Sequence, residues 1–267
     1  MDRIVTGFPA PIESPAAITP ERIEEVGLNA LQTQRQLFYD GWLLRLSPGT
    51  AKRARSINPH FASRLPLEEK IAHCESLYAR CGLPVLFRIT PFAQPPELVS
   101  ILSGRGYVAF DASLVQTLSL DQPPEFSVPV TGSARVVDPA AFAEAAGGLR
   151  GSTQAQRDAH LERLKLSPLV SRLVVIEVDG AVVCTAQMAM EDDVAGIFDV
   201  LTLEASRGKG HATHAVGKLL AWAWERAARV AYLQVTATNA AALAVYGKFG
   251  CSTLYSYCYY ARPGDCR

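Results

Sequence analysis

Residues 199–220 read DVLTLEASRGKGHATHAVGKLL. An apolar strand runs through two glycines and an alanine set among basic residues, straight into a helix. Val216, Leu219, Leu220, Ala223 and Ala227 fall on one face of that helix. No Ser, Thr or Asp stands directly in front of it as a cap. A helix start leaves its first backbone N–H groups unpaired and carries about half a positive charge, so an uncapped start is a natural anion site. Gly208 and Gly210 allow close approach of a ligand and conformations costly to other residues. A diphosphate fits that description.

Three diphosphate-binding patterns compete. A P-loop needs Ser or Thr after its Gly-Lys pair, and here Gly217 and Lys218 are followed by Leu219. A dinucleotide fingerprint needs a third glycine where Thr213 stands, and a parallel strand–helix–strand pattern before it. The third pattern is Arg, two residues, Gly, one residue, Ala, met by Arg207, Gly210 and Ala212. It resembles the pyrophosphate loop of the GNAT superfamily of acyl-CoA-dependent N-acyltransferases. Downstream, LQVTATNAAALAVYGKFGC is similar to that family's second motif, a strand ending in Asn and a helix carrying Tyr before Phe-Gly, with Asn239 and Tyr246 at the family's separation. The order of elements from about residue 133 to 262 fits the same core.

The resemblance implies acetyl-CoA as cosubstrate and direct transfer of its acetyl group to an amine, without a covalent enzyme intermediate. Backbone N–H groups from Arg207 through Gly208, Lys209, Gly210, His211 and Ala212 to Thr213 would cradle the pyrophosphate, with Arg207 and Lys209 adding charge. Val200, Leu201 and Thr202 match the splayed strand edge that pairs with pantetheine, where an N–H can also stabilise a developing oxyanion. Tyr246 is the implied general acid, since a phenol pKa of about 10 lies close to that of a departing thiol. It is also placed against the cofactor. Asn239 would hydrogen-bond the cofactor, or simply serve the turn before its helix. Some members place a Glu on the preceding strand as base, but Gln234 stands there and cannot take a proton. Asp199 is then the candidate base, with Glu204 a weaker alternative. His211 and His214 sit three apart without a convincing third ligand, so no metal is expected. Cys184 has no neighbouring His in sequence and is expected in the core.

The chain has 267 residues, 49% hydrophobic and 19% charged, an ordinary globular composition long enough for two domains. Lys plus Arg and Asp plus Glu balance at 26 each, so no basic field attracts nucleic acid or an anionic membrane. No apolar run reaches the roughly 18–20 residues of a membrane span, and the start lacks a signal-peptide pattern. A cytoplasmic protein is expected. The six cysteines include no CxxC pair, which argues against zinc or a disulfide framework and for small buried thiols.

The proline-containing stretch LDQPPEFSVPVTG, residues 120–132, reads as a linker. The expected organisation is an N-terminal arm over 1–18, a first domain over 19–127 and a second over 128–267. The fold class is α+β: two GNAT-like lobes, each a mixed, mostly antiparallel sheet flanked by helices. An internal repeat supports this, since LFRITPFAQPPELVSILSGRGY and YLQVTATNAAALAVYGKFGC share strand, polar joint, helix, Gly and strand. Laying Gly106 over Gly250 puts Leu102 where the second half has Tyr246, and the first half has no counterpart of RGKGHA. The first half also resembles the degenerate N-terminal lobe of tandem GNAT proteins through Trp42, Arg45, Gly49, Arg53 and Ser56. The polar segment TQAQRDAHLERLKL is expected to shape the acceptor site together with the cleft between lobes.

The expected partner is a small-molecule or peptide amine, with no nucleic acid and no membrane, and the chain is a monomer or homodimer. Two rival readings share the glycine segment: a non-catalytic acyl-CoA-binding regulatory module, and a phosphate-binding enzyme of another class. Turnover of amines separates the first from an acetyltransferase, and preference for ATP over CoA marks the second.

Overall fold

The structure, a computed structural model, describes residues 18–49, 51–126 and 132–266. The arm expected over 1–18 therefore lies outside the described residues except for Ile18, and the expected domain boundary falls in the undescribed 127–131.

In the first half, α1 (Pro20–Ala30) precedes β1 (Gln36–Tyr39), β2 (Trp42–Arg45), β3 (Ile57–Pro59), α2 (Leu67–Arg80), β4 (Phe87–Ile89), α3 (Leu98–Gly104) and β5 (Val108–Ser119). The second half continues with β6 (Ser133–Val136), α4 (Pro139–Arg150), α5 (Gln154–Leu166), β7 (Val170–Val178), β8 (Ala181–Glu191) and β9 (Val194–Thr202). It ends with α6 (His211–Trp224), β10 (Val230–Thr236), α7 (Ala240–Gly247) and β11 (Ser252–Ala261). Helix starts follow their sequence signals: the Thr19 hydroxyl accepts from Arg22 N ahead of Pro20, Asp138 caps α4, and Thr153 with Gln156 forms a capping box on α5. The hairpin turn read at Asp179-Gly180 has both residues at positive φ. β1 and β6 were not read from the sequence; each is four residues long and exposed over most of its length, so apolar alternation is lacking.

The fold is α+β, and the sheets of the two halves meet edge to edge in one sheet of eleven strands, ordered β1-β2-β3-β4-β11-β5-β10-β9-β8-β7-β6. The order explains the repeat. Exchanging β1–β5 with β7–β11 and reversing the list returns the same ten strands, with β6 left over at the edge. Each half thus gives up its last strand: β5 lies between β10 and β11, and β11 lies between β4 and β5. Gly106 and Gly250, each just before its exchanged strand, have φ of +80° and +82°.

The core follows this plan. Val216, Leu219, Leu220 and Ala223 of α6 pack on Ile176, Met188 and Ile197 of the sheet, while Ile71, Cys74 and Tyr78 of α2 pack on Trp42, Ile57 and Phe87. Ile23 and Val26 of α1 pack over Tyr232, Tyr255, Tyr257 and Val115, across the seam. There the buried Glu24 carboxylate accepts hydrogen bonds from Arg88 and, at 2.7 Å, from the Tyr255 hydroxyl, so α1 is tied to both exchanged halves by a paired charge. Among the described residues no helix is long and apolar enough to cross a membrane. All six thiols are unbridged, but only Cys74 and Cys184 are buried; Cys258 on β11, Cys81 at the end of α2, Cys251 just before β11 and Cys266 near the C-terminus are half-exposed.

Candidate active site

The start of α6 is bare. Gly210 occupies the N-cap position in the left-handed conformation, φ +84°, with no side chain hydrogen-bonded to the free N–H groups and no acidic residue in the first turn. Gly208 has φ +76°, so two left-handed residues in three turn the chain before the helix. Arg207 points to solvent, with Glu204 at 4.0 Å, and Glu204 itself is 89% exposed on the short 3-10 turn Glu204–Ser206. His211 is buried and its Nδ1 has no hydrogen-bond partner; burial, with Lys209 nearby, pushes its pKa down. Its ring faces protein, leaving the backbone to the helix tip. His214 is half-buried, with its ring 6.3 Å from that of Phe126.

The strand ahead of α6 opens away from its neighbour. β10 pairs with β9 in parallel only from Val194 and Val230 to Ile197 and Leu233. Beyond that, residues 198–202 have β8 on one edge and no strand on the other. A β-bulge sits there: Asp199 and Val200 together oppose Ala186, and Asp199 has φ +51° while its carbonyl accepts a hydrogen bond from the Thr185 hydroxyl at 3.0 Å. The bulge re-aims the backbone of Val200, Leu201 and Thr202. The Thr202 hydroxyl lies 3.5 Å from the Cys184 sulfur, and burial pushes that thiol up to about 11, where it is no nucleophile.

Across the opening stands α7. The Asn239 side-chain oxygen caps the helix by accepting from Ala242 N at 3.1 Å, so turn chemistry uses that atom. Tyr246, near the helix end, is buried among Cys184, Cys251 and the second-half core, and burial raises its phenol pKa. It keeps its proton at neutral pH. Gln234 faces elsewhere: its side-chain oxygen accepts from the Tyr257 hydroxyl at 3.1 Å and lies 3.5 Å from Arg88, in the seam under α1.

Asp199 opens into a cavity of about 270 Å³ between the two halves of the chain. His160 of α5 places Nε2 2.9 Å from one carboxylate oxygen, and Arg150 at the end of α4 places Nη2 2.6 Å from the other. Burial alone would raise this carboxyl, but His160 and Arg150 hold it well below the usual range. The candidate base is therefore a poor proton acceptor by itself, because accepting a proton gives up the hydrogen bond from His160 and the ion pair with Arg150. Phe198, Arg53 and Arg163 also line it. The sequence assigns segment 153–166 to the acceptor site and does not single out His160, Arg150 or Arg163. The signal was present: in α5 only His160 is buried while Leu161 and Leu164 are partly covered, so a titratable side chain holds the innermost place on the helix.

In the first half the counterpart of α6 is α2, and its approach is already filled. Asp40, in the β1–β2 turn, accepts hydrogen bonds from Arg64 N at 2.9 Å and Leu65 N at 3.0 Å. Leu65 N–H, the strongest influence, holds that carboxyl below its usual range.

Residues 144–251 match the model of the acetyltransferase (GNAT) family. A curated relative, the uncharacterized N-acetyltransferase YobR of Bacillus subtilis, is 24% identical over 221 residues, covering 82% of this chain and 88% of the relative. A GCN5-related N-acetyltransferase from Kribbella flavida has the same fold at a TM-score of 0.68 and 20% identity, over 93% of this chain and 97% of its own. A tandem GNAT protein from the clavulanic acid biosynthesis pathway superposes at 0.57 with 18% identity, over 72% of this chain and 68% of its own.

Proposed function

Since residues 144–251 carry a GNAT-type N-acetyltransferase domain, we propose that the chain transfers acetyl from acetyl-CoA to an amine, with the first half acting as a degenerate lobe that walls the acceptor site. The observation that carries this reading is the uncapped start of α6 beside the opened edge of β9. Free N–H donors, two left-handed glycines and the adjacent Arg207 and Lys209 suit a pyrophosphate. In the first half the loop donors ahead of α2, Arg64 N and Leu65 N, are taken by Asp40, and Leu102 stands where the second half has Tyr246, which fits one working site per chain.

Acetyl-CoA supplies a thioester, an acetyl group already activated toward an amine. The chain's own groups do the rest. Backbone N–H groups from Gly208 to Thr213 hold the pyrophosphate, the Arg207 N–H being already donated to the Glu204 carbonyl, and the edge of Val200–Thr202 holds the pantetheine, with one N–H there facing the oxyanion that develops on the attacked carbonyl. The Tyr246 hydroxyl gives its proton to the departing thiolate. The proton lost by the amine goes to the Asp199–His160 pair: with Nε2–H donated to the carboxylate, Nδ1 is the ring nitrogen left to accept. Asn239 contributes its amide N–H groups, its oxygen being engaged. The compartment we assign is the cytoplasm, with an amine of a small molecule or peptide as acceptor and neither nucleic acid nor membrane as partner.

Calorimetric titration of the folded chain with acetyl-CoA and with ATP, combined with detection of freed CoA thiol over a panel of amines, tests this. Saturable acetyl-CoA binding with amine-dependent thiol release is expected. A chain that takes up no acetyl-CoA, or that prefers ATP, is not this enzyme; one that binds acetyl-CoA and turns over no amine is a binding module.

A further inference from the structure

Resting on the acetyltransferase reading, we propose that the acceptor amine also carries a carboxylate, gripped by Arg53 and Arg163, so that the substrate class is a small amino acid rather than a simple amine. The cavity into which Asp199 and His160 open is lined by four arginines, Arg53, Arg150, Arg157 and Arg163, and by one carboxylate, Asp199. Two of the four are already matched: Arg150 by Asp199 at 2.6 Å, and Arg157 by Glu144 at 2.8 Å.

The other two are not. Arg163 makes one hydrogen bond, from Nη1 to the Ala159 carbonyl a helical turn back at 3.2 Å, and the same nitrogen would lie 3.6 Å from a Cβ added at Gly49 of the first half. Arg53 comes from the first half, its guanidinium 5.7 Å from the centre of the Phe198 ring and its Nη1 buried without a hydrogen-bond partner. Neither has an ion pair with a carboxylate among the described residues. Withdrawing an unmatched guanidinium from water is costly unless an anion meets it. Burial does push the Arg163 guanidinium below its ordinary value, with Asp199 offsetting that only in part.

Two guanidiniums from opposite sides present planar forks, and a carboxylate matches such a fork with two parallel N–H···O bonds. The phosphates of acetyl-CoA are not the natural occupant, because none of residues 207–213 lines this cavity. Size points the same way: about 270 Å³ lies just below the roughly 300–1,000 Å³ of ligand pockets, enough for an amino acid and little more. The acceptor's carboxylate lies at Arg53 and Arg163, its amine at the Asp199–His160 end. Gly49 and Arg53 bring the first half to the wall of this cavity, which gives the tandem arrangement a role in selecting substrate.

The test uses the full chain with acetyl-CoA and matched sets of L-amino acids, their carboxamides, the corresponding decarboxylated amines, and phosphoethanolamine. The expected result is a kcat/KM about ten- to a hundredfold higher for the acids than for their amides. Arg163→Gln and Arg53→Gln should each raise KM for the acids by about the same factor, leave amide turnover alone and leave the acetyl-CoA Kd unchanged. Arg163→Lys, which keeps the charge and loses the fork, should fall between. Equal use of acids and amides, preference for phosphoethanolamine, or loss of acetyl-CoA affinity in the glutamine variants overturns the proposal while the acetyltransferase reading stands. If no amine turns over, calorimetry decides: carboxylate-selective binding of the free amino acids supports the site and its absence overturns it, whereas failure of acetyl-CoA to bind refutes the enzymatic reading separately. Urea midpoints of the variants exclude misfolding as the cause.

Discussion

At the scale of single residues, the two groups proposed to handle protons are held in opposite states. Tyr246 is raised and stays protonated, so it can donate; Tyr246→Phe keeps the ring in the core and removes only the hydroxyl. Turnover should fall by about ten- to ten-thousandfold, the range of general acid–base catalysis, while the acetyl-CoA Kd moves little; steady-state kinetics with unchanged kcat would remove Tyr246 from the mechanism. Asp199 is lowered and stays ionised, and its contacts with Arg150 and His160 contribute stability that acid removes. Because its folded pKa lies below the unfolded carboxylate value of about 3.9, that contribution is complete above about pH 4 and is lost as pH drops further through the folded value. Asp199→Asn cannot pair in this way, so wild type should exceed the variant in urea midpoint by a steady margin near neutrality, shrinking below about pH 4. A margin that widened on acidification would contradict the assignment. The sequence could place Asp199 on the strand before the glycine segment and Tyr246 on the helix after Asn239, since both elements are local patterns. It could not disclose the partners of Asp199, because Arg150 and His160 lie 49 and 39 residues earlier and reach it only after two helices fold over the sheet.

At the scale of elements, the tip of α6 keeps free donors while the loop ahead of its twin has Arg64 N and Leu65 N occupied. α2 and α6 occupy matching places in the two halves, each following the strand that pairs in parallel with the next. Before α2 the chain has donors too, but the Asp-Gly turn at residues 40–41 swings a carboxylate onto Arg64 N and Leu65 N. Before α6 the donors remain free, at the expense of two left-handed positions. Gly210→Ala should cost about 1–2 kcal/mol of stability, the penalty of a Cβ in the left-handed region, visible as a lower urea midpoint at unchanged slope. It should also weaken acetyl-CoA, since the tip can relax only by turning donors away; a variant with native affinity would show that the tip is not the anion site. This element was legible in advance because glycine spacing is a local signal, and the same holds for the capped helices α1, α4 and α5. The edge strands β1 and β6 were not, being defined by the neighbours they pair with rather than by their own residues.

At the scale of the whole molecule, the exchange of β5 and β11 decides how the chain must fold. The repeat was readable as strand, helix, Gly and strand in both halves, yet nothing in either copy states that its last strand pairs across the seam. Register is a property of two segments more than a hundred residues apart, as with Val115 opposite Tyr255 and Leu114 opposite Val235. Without β5, β10 and β11 would each lose their shared partner, and the second half would be left with two unpaired strand edges and the apolar faces of Tyr255 and Tyr257 uncovered by α1. A fragment of residues 132–267, although it contains the whole family match, should therefore be insoluble or fail to bind acetyl-CoA. The intact chain should unfold in urea with one transition, coincident by tryptophan fluorescence and far-ultraviolet dichroism, because Trp42 reports the first half and Trp222 and Trp224 the second. Adding the separately produced segment 1–126 during refolding should restore the fragment's binding, since it supplies β5 and α1 together. Two separated transitions, or a fragment active alone, would mean that the seam joins two finished domains rather than completing each with a strand of the other.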